Sequence, residues 1–184
     1  MERTVLIGAW LLAAAAYLTM LFWSLPTLSA YADGRMVFDM MPGGYSLAQA
    51  SELVKALGPE GRDYYLGIQH WLDTTYPPLL GIALVLSFRR LFSGNAARAL
   101  IALAILATAL DLMENAAVST MLKTEPTALT ASMVTLASRL TMAKSATVTL
   151  AFVILLLGLA GAKWKHFFNK ASRKHHRIRA NRRA

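Results

Sequence analysis

Four long apolar stretches constrain this chain more than any other feature of its sequence. They cover about residues 5–25, 67–88, 99–122 and 128–162 of a chain of 184 residues. A bilayer core about 30 Å thick requires roughly 20 apolar residues in a helix that rises about 1.5 Å per residue. Each stretch meets this length, so the sequence predicts an all-α membrane protein built as a four-transmembrane-helix bundle.

The rest of the chain divides into an outer loop and a basic tail. We assign residues 1–162 to one membrane domain, with the loop at 26–66, and residues 163–184 to the tail. The first stretch resembles a signal peptide with a cleavage site at Ala30-Tyr31-Ala32. Its apolar run is longer than the 7–15 residues of a signal peptide, so we expect this span to be retained.

Basic residues predict the orientation of the four spans. Arg89, Arg90 and Arg98 lie between the second and third stretches, and nine of the 19 Lys and Arg residues lie in the last 22 positions. The loop at 26–66 holds five acidic residues against three basic ones. The positive-inside rule then places both termini in the cytoplasm, and we expect a multi-pass protein of a cell inner membrane.

An amphipathic helix is predicted within the outer loop. Ser46 and Gln49 have the spacing of a capping box, apolar residues follow at helical spacing, and Gly58-Pro59 is expected to end the helix. Two interpretations stay open, namely an interfacial helix that shields the bundle and a lid over a pocket.

The tail predicts a second amphipathic helix. Apolar residues from Trp164 to Ile178 recur at helical spacing with Lys and Arg between them. Such a helix lies on anionic lipid at the inner leaflet. Binding of RNA or an acidic protein is an alternative, but no nucleic-acid motif is visible, and nucleic acid is not an expected partner.

Five charged residues interrupt the apolar stretches. Asp73, Asp111, Glu114, Arg139 and Lys144 lie about 20–28 Å or more from the basic cytoplasmic boundary, which is the outer half of a membrane. Charged groups at this depth cost a few kcal/mol each unless they face a partner or a wet cavity. The sequence therefore predicts either an ion-pair network that fixes helix register or a polar pocket open to the outer side.

Polar residues at spacings of three and four predict which side chains face that pocket. The stripe from Arg62 to Tyr76 and the group from Asp111 to Asn115 each share one helix face. Candidates for acid–base catalysis are Asp73, Asp111 and Glu114. Candidates for ligand binding are Arg62, Tyr65, Gln69, His70, Tyr76, Asn115, Arg139 and Lys144.

Pro77 and Pro78 follow this stripe directly. Proline cannot bond the carbonyl four residues back, so the carbonyls of Asp73 and Thr74 need other partners. These partners could be a proton or cation bound beside Asp73. They could also be side chains of neighbouring helices, in which case the kink is structural.

Several function classes are disfavoured by the composition. The chain has no cysteine, so disulfides and thiolate chemistry are excluded, and no spacing typical of a metal site appears. We predict no cofactor and no metal. The first hypothesis is a lipid- or quinone-like-ligand-binding protein, or an accessory subunit that contacts another membrane protein or a second copy. The others are a small carboxylate enzyme and a proton or cation pathway.

Overall fold

The structure, a computed structural model, describes residues 2–181, with side chains described for residues 3–164. The described part of the chain is all-helical and contains no strand, which confirms the all-α prediction. Two π-helical turns and two short 3-10 turns connect or interrupt the helices. The six α-helices are α1 (Glu2–Thr19), α2 (Leu25–Tyr31), α3 (Leu47–Tyr64), α4 (His70–Leu91), α5 (Gly94–Lys123) and α6 (Ala131–Asn181).

Three helical segments are long and apolar enough to cross a membrane, which indicates a membrane protein. They are Arg3–Tyr31, Gly94–Lys123 and Ala131–Trp164. The first of them runs through α1 and α2. The fourth long helix, α4, contacts α1, α5 and α6, and it carries Asp73 and two prolines in its first half. We call the half of the helix assembly that holds Asp73, Asp111 and Lys144 the outer half and the other the inner half, after the orientation predicted from the sequence.

An apolar core fills the inner half of the helix assembly. Leu80, Leu84 and Phe88 of α4 pack with residues of α1, α5 and α6. Trp10 attaches α1 to this core, because its indole N–H donates to the Ser87 hydroxyl at 3.1 Å and its ring contacts Phe152. The inner half is therefore closely packed, with few polar groups.

A second apolar core fills the outer half. One face of α3, namely Ala50, Leu53, Val54 and Leu57, is buried in a cluster with residues of α2, α5 and α6. The outer helix thus packs on protein along that face. The burial of this face explains why its apolar residues recur at helical spacing.

The predicted start and the predicted end of the outer helix are both confirmed. The Ser46 side chain accepts a hydrogen bond from the Gln49 backbone at 3.2 Å, and the Gln49 side chain accepts one from the Ser46 backbone at 2.8 Å. The helix ends at Gly58, where a φ of 60° and a ψ of -174° are not helical, and a second helix within α3 follows directly after this kink. Pro59 suits a first helical position, because it has no N–H to leave unbonded there, so it restarts the helix.

Two π-helical turns face each other across the outer half. They span Met20–Ser24 and Tyr65–Gln69. The Ser24 hydroxyl donates to the Gln69 side-chain carbonyl at 2.5 Å, and both side chains are fully buried. Single π turns inside α-helices occur frequently at functional sites. Neither turn is evident from the sequence pattern.

The outer loop before α3 is fixed to α6. Val37 and Phe38 are fully buried, and the Tyr45 backbone N–H donates to the Ser138 hydroxyl at 2.8 Å. Gly44 allows this approach because its φ is +83° and a Cβ at this position would lie 2.6 Å from Ser138 Oγ. The segment is thus clamped against the mouth of the bundle by specific contacts.

The predicted basic tail lies almost entirely outside the described side chains. The backbone of α6 is described as far as Asn181, but side chains are described only as far as Trp164. The amphipathic tail helix therefore stays a prediction.

Replacing Gly44 by alanine should destabilise the fold by about 1–3 kcal/mol, since the left-handed backbone is strained for a residue with a Cβ. The neighbouring Gly43→Ala is the matched control, because a Cβ there meets nothing within 4 Å. The free energy of unfolding in mixed micelles measures both. Equal stabilities of the two variants would mean that the left-handed conformation of Gly44 and its close contact with Ser138 do not contribute to stability.

Candidate functional site

Lys144 lies at the centre of the predicted charged cluster. Its ammonium nitrogen lies 2.8 Å from Glu114 Oε2, 3.0 Å from Asp111 Oδ1 and 3.8 Å from Asp39 Oδ1. The two acids of α5 lie three residues apart and so share one face, which is turned towards α6. The Lys144 side chain is only 14% exposed, so these ion pairs are largely removed from solvent.

Asp39 reaches this cluster from outside the long helices. It lies in the 3-10 turn Phe38–Met40 of the outer loop. Its other carboxylate oxygen accepts a hydrogen bond from the Tyr65 phenol. A single loop residue therefore connects the cation of α6 with the π turn that precedes α4.

Hydroxyl groups close the cluster on the side of the outer loop. Thr141 donates to Glu114 Oε1 at 2.7 Å, and Glu114 is completely buried. The Tyr45 phenol lies close to Thr141 and Glu114, and burial raises the pKa of this phenol above its usual range. Tyr45 is thus a neutral hydroxyl at physiological pH.

The proline pair has the consequence expected from the sequence. The freed carbonyl of Asp73 accepts a hydrogen bond from the Asn115 side-chain amide at 2.6 Å. A side chain of a neighbouring helix therefore bonds the Asp73 carbonyl that Pro77 leaves without its helical partner. The Asp73 carboxylate accepts from the Gln69 amide at 2.8 Å, and no ion pair joins it to Lys144.

A cavity of about 320 Å³ lies beside the cluster. Small-ligand sites are typically pockets of about 300–1,000 Å³ with mixed apolar and polar walls, and this cavity falls at the lower end of that range. Its position among the outer halves of α1, α4, α5 and α6 corresponds to the predicted pocket. The wall consists of Tyr17, Met20, Leu25, Asp39, Pro42, Gln69, Asp73, Tyr76, Asp111, Lys144, Ser145, Val148 and Thr149.

A much smaller void lies on the opposite side of Asp39 and Asp73. Its volume is about 10 Å³, enough for about one water molecule, and His70, Tyr65 and Asn115 contribute to its wall. The His70 Nδ1 atom lies 3.1 Å from the Ser119 hydroxyl. A serine of α5 is therefore the described side-chain partner of His70.

Eight of the eleven candidate residues line the cavity, form the cluster or contact it directly. They are Tyr65, Gln69, Asp73, Tyr76, Asp111, Glu114, Asn115 and Lys144. His70 borders only the small void. Arg62 and Arg139 lie elsewhere, so the expectation that they face the pocket is wrong.

The two arginines are displaced for different geometric reasons. The π turn at Tyr65–Gln69 holds one residue more than an α turn and rotates Arg62 by about 100° away from the Asp73 face. Arg62 instead contacts Glu125 at 3.6 Å. Arg139 is exposed and precedes Lys144 by five residues, which places it about 140° around the helix.

Several site residues were absent from the prediction. Asp39 lies in the outer loop, outside the predicted spans, so no helical spacing connects it with the cluster. Thr141 lies one turn before Lys144, and its spacing of three could have indicated it. Tyr17 lies in an uncharged span where no polar stripe marks it.

The described residues contain no group of three or more His, Cys, Asp and Glu side chains arranged to hold a metal ion. Comparison of the sequence with protein-family models and curated proteins, and of the fold with solved structures, finds no match.

The cluster can orient a polar ligand and exchange protons with it. Three carboxyl groups, those of Asp39, Asp111 and Glu114, lie within 4 Å of the Lys144 ammonium group, and Asp73 lines the same cavity without such a contact. Lys144 has its N–H groups directed at carboxylates, so it is a poor nucleophile. Asp73 is the carboxyl group best placed to meet a ligand.

Lys144→Met should destabilise the protein by about 3–5 kcal/mol, since it leaves several buried carboxylates without their cation. Arg139→Met on the same helix removes an exposed cation and should change stability by no more than about 0.5 kcal/mol. Unfolding of both variants in mixed micelles gives the comparison. Similar losses for the two would show that the buried ion pairs do not hold the bundle together.

Proposed function

We propose that this chain is a four-span inner-membrane protein that binds a small ligand in its outer-half cavity, with both termini in the cytoplasm. The cavity of about 320 Å³ with carboxylate, ammonium, phenol and apolar walls carries the proposal. A buried charged cluster that served only to fix helix register would need no such space.

The contacts of α4 support its assignment as the fourth span. Only two residues, Phe92 and Ser93, connect α4 to α5, so the two helices run antiparallel along each other. On its other side α4 contacts α1. A helix between two membrane-crossing neighbours lies at the same depth as they do. Arg89 and Arg90 then mark its cytoplasmic end.

Single cysteines should reveal this topology, because the chain has none of its own. A membrane-impermeant maleimide added to intact spheroplasts should label Glu60→Cys at once. Ser93→Cys should react only after permeabilisation, since a crossing α4 places it in the cytoplasm. If α4 does not cross, both positions lie on one side and label alike.

An enzyme is the second candidate, and Asp73 is the observation that favours it. It is the one carboxyl group of the cavity wall that no ion pair joins to Lys144, so it is available as a general base. Asp111 and Glu114 are bound to Lys144 and would hold this cation in place.

The remaining alternatives have less support. A proton or cation pathway needs polar groups in the inner half, where Leu80, Leu84 and Phe88 form an apolar core. An accessory subunit could bind its partner in an apolar groove of about 450 Å³ between α4 and α5. Anionic lipid at the basic tail and association with another membrane protein or a second copy are compatible with each of these functions.

Thr149→Phe should fill the cavity and expel its ligand. Native mass spectrometry with lipidomics on protein extracted gently from its own membrane should find a defined small molecule or lipid on the wild type and not on this variant. Leu150→Phe is the matched control, since Leu150 is exposed and absent from the cavity wall. Identical bound molecules in all three proteins would refute a ligand in this cavity.

A further inference from the structure

We propose that the cavity ligand is an organic cation, either a small amine or the amine head group of a lipid. The inference rests on the proposed function and adds a chemical class to it. The charge balance of the cavity wall is its starting point. Asp39, Asp73 and Asp111 contribute carboxyl groups, and Lys144 is the one basic residue among the described residues of the wall.

An anionic ligand would have to displace contacts that Lys144 already makes. Its ammonium group bonds Asp111 and Glu114 at 3.0 and 2.8 Å and lies 3.8 Å from Asp39. Bonds between ionised partners are the strong ones, so an incoming carboxylate or phosphate would compete poorly. It would also meet the carboxyl group of Asp73 on the same wall, which offers no positive charge.

Asp73 is the group that an ammonium would meet. Its described hydrogen-bond partner is the neutral amide of Gln69, at 2.8 Å from Oδ1. No described cation forms an ion pair with it, in contrast to Asp39 and Asp111. A ligand ammonium would supply the missing charge-assisted hydrogen bond.

Two aromatic rings complete an environment suited to a cation. Tyr17 and Tyr76 both line the cavity, with ring centroids 5.8 Å apart and planes inclined by 33°. A tyrosine face attracts a cation that lies within about 6 Å of its centroid. The neighbouring Leu25 and Val148 side chains offer apolar surface for a short alkyl portion.

Size distinguishes an organic cation from a bare ion. The cavity holds about 320 Å³, and the described acids do not form a group arranged around a metal ion. A butylammonium ion matches the three properties of the wall, because it combines one positive charge, N–H donors and a short apolar chain.

Isothermal titration calorimetry on the purified full chain in an uncharged maltoside detergent tests the class. The probes are butylammonium, butanol and butyrate at constant pH and ionic strength, which differ in charge at equal chain length. We expect butylammonium to bind most tightly. Asp73→Asn should weaken it roughly tenfold to a hundredfold, since a hydrogen bond to a charged group is lost. Asp63→Asn, on the exposed side of α3, should leave it unchanged.

A second variant protects the test against misfolding. If Asp73→Asn does not fold, Tyr76→Leu should still weaken butylammonium severalfold and leave butanol unaffected, because only the cation interacts with the ring face. Equal or tighter binding of butanol or butyrate would overturn the amine class. So would equal butylammonium affinities of the wild type and the folded variant.

The failure of the amine class can be told apart from failure of the proposed function. A bound molecule that Thr149→Phe expels but that carries no amine would overturn the class alone. Absence of any cavity-dependent molecule, together with no binding of the three probes, would overturn both. Phosphatidylethanolamine added to the micelles should compete with butylammonium if the natural ligand is a lipid head group, and a free amine predicts no competition.

Discussion

The contacts of one buried ammonium group hold the outer half of this protein together. Lys144 belongs to α6. Its two nearest carboxylates, Asp111 and Glu114, belong to α5, and Asp39 belongs to the outer loop. Through the Tyr65 phenol the same network continues to the π turn before α4. Four elements that are distant in sequence thus share one electrostatic centre. Removal of one partner of a buried ion pair is costly because the other charge is left uncompensated, so Lys144 and its carboxylates stabilise the fold only as a complete set.

The two apolar cores give this centre its surroundings. The inner core around Leu84 and Phe88 borders the cluster on one side, and the outer core around Phe38 and Leu53 borders it on the other. Between them the polar side chains of four helices are confined to one layer. The cavity opens at this layer, so any ligand that enters meets charged groups within an otherwise apolar molecule.

The sequence predicted the helical class and five of the thirteen residues that line the cavity, for reasons that lie in particular residues. The spacing of Asp111, Glu114 and Asn115 placed them on one face, and the proline pair predicted a carbonyl that Asn115 indeed satisfies. Arg62 was misplaced because periodicity arguments assume 3.6 residues per turn throughout. Asp39 was missed because its role depends on a loop that folds back over the bundle. No local pattern encodes such a tertiary contact.

The π turn at Tyr65–Gln69 makes the length of this segment as important as its composition. Its extra residue sets the phase of all of α4, and a chain shortened by one residue there would turn Asp73 about 100° from its present direction. Related sequences could therefore exchange many apolar residues in this stretch, whereas a gap or an insertion in it would relocate the whole polar face. Because Ser24 and Gln69 join the two π turns, a change of length in one helix would call for a matching change in the other.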